Sequence, residues 1–124
     1  MTEARIRGYR DLRVWQRAMD IAEETYRLTR GFPREELFGL TSQSRRAAAS
    51  IAANIAEGYG RGTKPAYVSF LRIAQGSLKE LETHLLLAER VAATPKGSVD
   101  PVLSQADELG RMLRALISSL SPKP

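Results

Sequence analysis

The side chains best able to do chemistry in this sequence are polar residues spaced along one side of a helix. Successive members lie seven, four, three and four residues apart, and Arg46 shares their side. Such a stripe can form a ligand or RNA groove, or a hydrogen-bonded network at a helix–helix or subunit interface. We favour the network, because no glycine-rich phosphate loop or set of metal ligands accompanies it. The stripe consists of Gln43, Ser50, Asn54, Glu57 and Arg61.

A second polar group falls in the middle of a later helical segment, where Gly76 and Ser77 are followed by Glu80. Glycine inside a helix costs about 1 kcal/mol relative to alanine. We therefore expect something to pack closely at Gly76, either the alanine-rich second helix or a neighbouring subunit. Ser77 and Glu80 join the candidate polar network.

The sequence offers little to an enzyme. It contains no cysteine and a single histidine, His84, which excludes thiolate catalysis and multi-histidine metal sites. Glutamates between positions 80 and 89 could suggest acid–base work, but Lys79 and Arg90 lie among them and favour a solvated surface. No nucleophile-elbow sequence surrounds any serine. We expect no catalytic residue, cofactor, metal or small-molecule substrate.

Basic residues cluster near the N-terminus. Five arginines stand against one acid, Asp11, between positions 5 and 17, whereas the formal net charge is only +5. Tyr9 and Trp15 are interleaved and could stack on bases, although Trp15 also fits a core stripe. The cluster is our candidate for phosphate contact. Its members are Arg5, Arg7, Arg10, Arg13 and Arg17, with Arg61 and Lys64 from a later loop.

Glycine and proline divide the chain into four helical segments that would position these residues. The first is expected over about 11–30, and the second begins between 34 and 41 and ends near Gly58, with a break possible before Gly39. The third begins at an N-cap, Thr63, with Pro65 in its first turn. The fourth runs from 100 or 101 to 120. No stretch shows the period-two alternation of a strand.

Apolar residues recur at spacings of three and four in all four segments, which predicts one buried face on each helix. The third and fourth segments alternate regularly, as in near-antiparallel packing. Expected core positions on the first two helices are Leu12, Trp15, Met19, Ala22, Tyr26, Leu40, Ala47, Ile51 and Ile55. On the last two they are Tyr67, Leu71, Ala74, Leu78, Leu81, Leu85, Ala88, Ala92, Val102, Ala106, Leu109, Leu113, Leu116 and Leu120.

Short loops between long helices make neighbours antiparallel, so the expected fold is all-α, an antiparallel up-and-down four-helix bundle. At 124 residues the chain suits a single domain over 1–124, with a basic arm at 1–10 and a flexible tail at 121–124. The N-terminus lacks the apolar core of a signal peptide, and no apolar run is long enough for a membrane span. We expect a cytoplasmic protein without membrane partners.

Three strings carry a family resemblance: LRVWQRAMDIAEETYRLTRGFPREE, GLTSQSRRAAASIAANIAEG and FLRIAQGSLKELETHL. They resemble the four helix bundle protein family, whose members include proteins encoded within intervening sequences of large-subunit ribosomal RNA genes. The accessory protein of diversity-generating retroelements is a more distant relative. The similarity covers roughly 9–91. The matched positions are Trp15, Pro33, Gln43, Arg46, Ser50, Asn54, Glu57, Gly58, Gly76, Ser77 and Glu80.

The resemblance implies a four-helix bundle that assembles as a homopentameric ring with a central channel. In the retroelement relative, a positively charged surface engages nucleic acid and a reverse transcriptase. None of the matched positions is an established catalytic residue of the family. One departure is Ser44, where the family often has an aliphatic residue, so local packing must differ if this side chain faces the core.

Two main hypotheses follow. In the first, the protein is a non-enzymatic homo-oligomer that binds RNA or a ribonucleoprotein through its arginine-rich surface. In the second, it is a protein-interaction scaffold whose polar stripes build the ring and whose charge is incidental. An enzyme of unknown type is a weak third, which a deep pocket with converging titratable groups would support.

Overall fold

A computed structural model describes residues 5–121 of the protein, and this part of the chain contains four long helices and no strand. The all-α prediction is confirmed. Most of the proposed tail at 121–124 and the first four residues of the basic arm lie outside the described residues. The helices are α1 (Arg13–Thr29), α2 (Ser42–Gly60), α3 (Lys64–Arg90) and α4 (Asp100–Leu120).

The helices form a ring in which each one packs on two neighbours, α1 on α2 and α4, and α3 on α2 and α4. The short connections run each helix antiparallel to the next, as expected. The core is built from leucine, isoleucine and alanine, as the low aromatic content of 6% requires. Fully buried large side chains come from all four helices and include Ile21, Ile51, Ile55, Leu78, Leu81 and Leu109.

The helix ends follow the expected chemistry where the chain supplies it. The hydroxyl of Thr63 accepts the N–H of Ala66 at 3.3 Å and caps α3, with Pro65 in the first turn. At the other end of α3, Ala92 adopts a φ of 60°, a conformation that usually requires glycine. The expected burial of Ala92 is wrong, because this residue is exposed where the helix ends.

The connection between α1 and α2 is itself wound into turns. A 3-10 turn at Arg34–Glu36 leads into a π-type turn at Leu37–Thr41, where Gly39 departs from helical geometry with φ −106° and ψ −111°. The side chain of Glu36 accepts the N–H of Leu40 at 3.3 Å. The expected break near Gly39 is therefore confirmed.

The predicted core face of α1 is wrong. Met19 and Tyr26 are 45% and 43% exposed, and Leu12, Trp15 and Ala22 are only partly buried. The helix is rotated so that a neighbouring stripe enters the core instead. This stripe consists of Val14, Ala18, Ile21, Thr25 and Thr29.

The last turns of α4 differ by one position from the expected pattern. Val102, Ala106, Leu109 and Leu113 are buried as predicted, but Ile117 then takes the core position. The two remaining predicted leucines, Leu116 and Leu120, are partly buried against the core. Ile117 is therefore the last core residue of α4.

Candidate functional site

The polar network predicted between the second and third helices exists in part. The hydroxyls of Ser50 on α2 and Ser77 on α3 lie 2.9 Å apart, within hydrogen-bond distance. The side-chain amide of Asn54 donates to the Ser50 hydroxyl at 3.0 Å and to the Ser50 carbonyl at 2.8 Å. Ser77 is buried, and the two α2 residues are half-buried. These three residues, the serine–asparagine network, link α2 to α3.

The remaining predicted members lie outside that network. Glu57 is exposed and pairs with Arg61 at 2.7 Å along the same helix. Glu80 is also exposed, with a carboxylate oxygen 3.6 Å from Nε2 of His84. Gln43 is half-buried, and Arg46 is exposed. The stripe therefore combines a short buried network with solvated charges at its ends.

The close approach of helices expected at Gly76 occurs at Gly58 instead. A Cβ added to Gly58 would lie 2.5 Å from Cβ of Phe70 and 3.3 Å from Tyr67. A Cβ added to Gly76 would have no neighbour within 4 Å, and this residue is exposed. The prediction that the second helix packs on Gly76 is wrong. Its alternative, a neighbouring subunit at Gly76, stays a prediction.

Most of the predicted phosphate-contacting residues lie at one end of the bundle. The antiparallel order brings together the start of α1, the end of α2, the start of α3 and the end of α4. Lys64 lines a shallow cavity with Pro65 and residues 119–121 from α4. Arg13 is the first residue of α1, Arg10 lies in a 3-10 turn just before it, and both are exposed. Arg5 and Arg7 precede them and are also exposed.

The segment before α1 is anchored by local contacts. The N–H of Arg7 donates to the Asp11 carboxylate at 2.8 Å, and the Gln16 side chain donates to the Arg10 carbonyl at 2.9 Å. The ring of Tyr9 packs edge-on against Trp15, with centroids 5.3 Å apart. These contacts hold the basic arm against the bundle from residue 7 onward.

Two of the predicted arginines are already paired with acids. Arg17 forms an ion pair of 2.8 Å with Glu108, which links α1 to α4. Arg61 pairs with Glu57, and its guanidinium lies 4.9 Å from the centre of the Phe70 ring. Within residues 5–121, no carboxylate forms such a pair with Arg10, Arg13 or Lys64. The latter three are therefore better placed to meet an anion.

An apolar groove between α1 and α2 was missed from the sequence, where its α1 residues were assigned to the core. Its volume is about 680 Å³, and the alanines of α2 form its floor. It continues past Tyr26 to a second depression next to Phe38, which is 90% exposed. Two acids lie among its mostly apolar lining residues, which are Tyr9, Trp15, Met19, Asp20, Ala22, Glu23, Tyr26, Ala49, Ala52, Ala53 and Ala56. The sequence signal for this groove was the apolar stripe on α1 that had been assigned to the core.

Tyr67 is a half-buried titratable residue of α3. Burial raises the pKa of Tyr67 above its usual value of 10.0, and the nearby Tyr59 adds to the rise. A phenol with a raised pKa stays protonated at neutral pH, so Tyr67 is no nucleophile there. No cluster of three or more potential metal ligands exists among residues 5–121. Across the same residues, no helix combines the length and the apolar character that a membrane crossing requires.

The comparisons with known proteins point to one family. A family model described as 23S rRNA-intervening sequence protein matches residues 10–115. A solved structure from Bacteroides thetaiotaomicron, a protein with unknown function from the S23 ribosomal protein family, is similar with a TM-score of 0.77. The two chains are 23% identical over 84% of this chain and 97% of the other, a likeness that shows the fold. No curated protein matches the chain.

Proposed function

This chain belongs to the 23S rRNA-intervening sequence protein family, and we propose that it is a non-enzymatic homo-oligomer that binds RNA or a ribonucleoprotein. The observation that supports RNA contact is the basic end of the bundle, defined by Arg5, Arg7, Arg10, Arg13 and Lys64. These side chains are exposed and come from two helices and the arm before α1. Cations presented together in this way suit a chain of phosphates.

The proposal of self-association is supported by the groove between α1 and α2. Met19, Tyr26 and Phe38 expose large apolar surfaces along one side of the molecule. Large apolar side chains that are exposed next to one another commonly mark interaction surfaces. A projecting aromatic and a groove on the same chain can pair between copies, and such head-to-tail contacts form a ring when the rotation between copies closes. The family resemblance implies five copies, and the proposed oligomer is a pentamer.

Light scattering on the purified protein tests the assembly. The mass should be a multiple of the 13.7 kDa chain at micromolar concentration. Met19→Glu should lower the mass without unfolding the chain, because it adds a third carboxylate beside Asp20 and Glu23 in the groove and leaves the core untouched. A parent protein that runs as a monomer would overturn this half of the proposal.

Fluorescence anisotropy with a structured RNA at several salt concentrations tests RNA contact. Log affinity should fall almost linearly with log salt, by about 0.7 per phosphate contact on single strands. The triple variant Arg5→Gln, Arg7→Gln, Arg10→Gln should bind more weakly, since it removes three cations from the basic end. A matched control replaces three arginines at the opposite end of the bundle with glutamine, Arg30, Arg34 and Arg90. This control should bind RNA like the parent.

The scaffold hypothesis predicts a different result from the same experiment. An oligomer that shows no RNA binding at low salt would be a protein-interaction scaffold, and the groove is the observation that favours this alternative. Equal loss of binding in the triple variant and in its control would show that total charge matters and the basic end does not.

A further inference from the structure

A groove of about 410 Å³ runs between α3 and α4, on a different side of the bundle from the α1–α2 groove. The polar and glycine residues that line it are Arg72, Gln75, Gly76, Lys79, Gly110 and Arg114. Leu78 forms part of its floor. Within the described residues, no acidic side chain lines it. The sequence prediction of phosphate contacts did not include any of its basic residues.

The spacing of these residues concentrates positive charge around two glycines. Arg72, Gly76 and Lys79 are four and three residues apart, which places them on one side of α3. Gly110 and Arg114 are four residues apart on α4. Both glycines line the groove, and the side chain of Leu78 lies within 3.7 Å of a Cβ built on Gly110. Because the helices are antiparallel, the two arginines lie on the same side of the glycines.

Gly76 has no packing reason within the monomer. Glycine in a helix interior is less favourable than alanine, and a Cβ at this position would meet nothing within 4 Å. The residue instead leaves the backbone of α3 open to the groove between the basic side chains. Open backbone beside converging cations is suited to a ligand that approaches closely.

Arg72 and Arg114 differ from Lys79, the third basic residue of the groove, in their ion pairs. Lys79 pairs with Glu82 at 3.3 Å, and on α4 Asp107 pairs with Arg111 at 3.9 Å. Among residues 5–121, neither Arg72 nor Arg114 pairs with a carboxylate. A guanidinium presents several N–H donors in a plane and binds phosphate oxygens in a bidentate manner.

We propose that the α3–α4 groove is a phosphate-binding site. Arg72 and Arg114 donate to the phosphate oxygens from the two helices, and the Gln75 amide and Lys79 donate from α3. Gly76 and Gly110 leave the space that the phosphate occupies. The site is separate from the basic end of the bundle and does not depend on RNA binding there. The phosphate can be a free ion or part of a nucleic-acid backbone, which present the same oxygens.

The experiment is a titration of the full-length protein with inorganic phosphate, with chloride at the same ionic strength as the reference. Binding is measured by calorimetry, and stability by thermal melting. The parent should bind phosphate in the millimolar range and melt at a higher temperature in its presence. The double variant Arg72→Gln, Arg114→Gln should bind at least about tenfold more weakly, because two charge-assisted contacts are lost. The control Arg30→Gln, Arg90→Gln has the same net charge as the Arg72/Arg114 variant and should bind phosphate like the parent.

Gly76→Leu tests the groove without a change of charge. Leucine favours the helix and would fill the space beside the arginines, between Arg72 and Lys79, so the variant should remain folded and lose phosphate binding. Absence of phosphate binding to the parent would overturn the proposal. Equal binding by the parent and the Arg72/Arg114 variant, or equal loss in the Arg30/Arg90 control, would do the same.

A second arm of the experiment identifies the source of the phosphate. If RNA supplies it, the Arg72/Arg114 variant should also bind RNA more weakly, and inorganic phosphate should compete with RNA on the parent. If a free phosphate supplies it, RNA binding should be unchanged in this variant while phosphate binding is lost. Both results support the site, whereas the Arg5/Arg7/Arg10 variant tests the RNA proposal independently.

Discussion

The two sides of α2 meet their neighbours in opposite ways. Toward α3, Gly58 brings the helices close together and the serine–asparagine network links them. Toward α1, the alanines at positions 49, 52, 53 and 56 leave a groove open to solvent. Small residues therefore have two uses on one helix. They allow a helix to approach where a glycine matches a large neighbour, and they leave room where the facing side chains turn outward.

The difference also separates surfaces that stabilise the fold from surfaces available for binding. The α2–α3 side is closed, because a Cβ added to Gly58 would lie too near Cβ of Phe70 for a larger residue to fit. The α1–α2 side exposes Met19 and Tyr26 at no cost to the core beneath it. Substitutions on the closed side should change stability, and substitutions on the open side should change association.

The largest effect is expected from Gly58→Val. The added side chain would collide with Phe70 and Tyr67, and overpacking of this kind costs about 1–3 kcal/mol. Urea unfolding followed by circular dichroism should show this loss. Gly60→Val is the matched control near the same helix end, because a Cβ there meets nothing within 4 Å. Equal losses in both variants would show that helix propensity, and not the approach of α3, determines the effect.

Asn54→Leu tests the network that accompanies this close approach. The substitution keeps the volume and removes two hydrogen bonds to Ser50, so we expect a loss of about 1–2 kcal/mol in the free energy of unfolding. Gln43→Leu makes the same chemical change in a half-buried residue of the same stripe and should change stability little. An unchanged melting temperature in Asn54→Leu, together with lost RNA binding, would instead assign the network to function.

The α2–α3 side was predictable in part, and the α1 side was not. Regular spacing indicated Ser50, Asn54 and Ser77, whereas the close approach expected at Gly76 occurs at Gly58. On α1, the buried stripe includes Thr25 and Thr29, whose hydroxyls donate to carbonyls one turn earlier at 2.8 and 2.7 Å. These threonines are buried without an unpaired hydroxyl, but a hydropathy pattern counts them as polar. The outward apolar residues therefore resembled the core.

The predicted phosphate-contacting residues differ from the available ones for a similar reason. Arg61 and Arg17 have the right residue type, yet their carboxylate partners come from Glu57 and from Glu108 on another helix. Only the fold shows which charges remain available. The α3–α4 groove was missed because Arg72 and Arg114 are far apart in sequence and meet through antiparallel packing. Periodicity within a helix indicates a face but does not identify the helix opposite.

A smaller effect is expected at Ser44, the position where the family often has an aliphatic residue. Its hydroxyl is fully buried and has no hydrogen-bond partner, unlike that of Ser50. Ser44→Ala should stabilise the protein by about 0.5–1 kcal/mol, because it removes an unpaired polar group and adds helix propensity. Ser50→Ala removes a paired hydroxyl and should destabilise it. Thermal melts of the two variants compare them directly, and a loss of stability in Ser44→Ala would contradict the expectation.

The smallest effect on folding is expected from Ala53→Leu in the open groove. Ala53 is exposed on α2, so the larger side chain extends into the groove and meets no core residue. Surface substitutions of this kind change stability by about 0.5 kcal/mol or less, and leucine is well tolerated in a helix. The free energy of unfolding, measured in protein diluted until its mass is monomeric, should therefore match the parent.

At higher concentration the oligomer mass should fall, because the leucine occupies the space that another copy would use. A loss above about 1 kcal/mol in the dilute protein would show that α1 and α2 close over this position, since overpacking costs that much only where space is already filled. The contrast between the two sides of α2 would then be absent in solution.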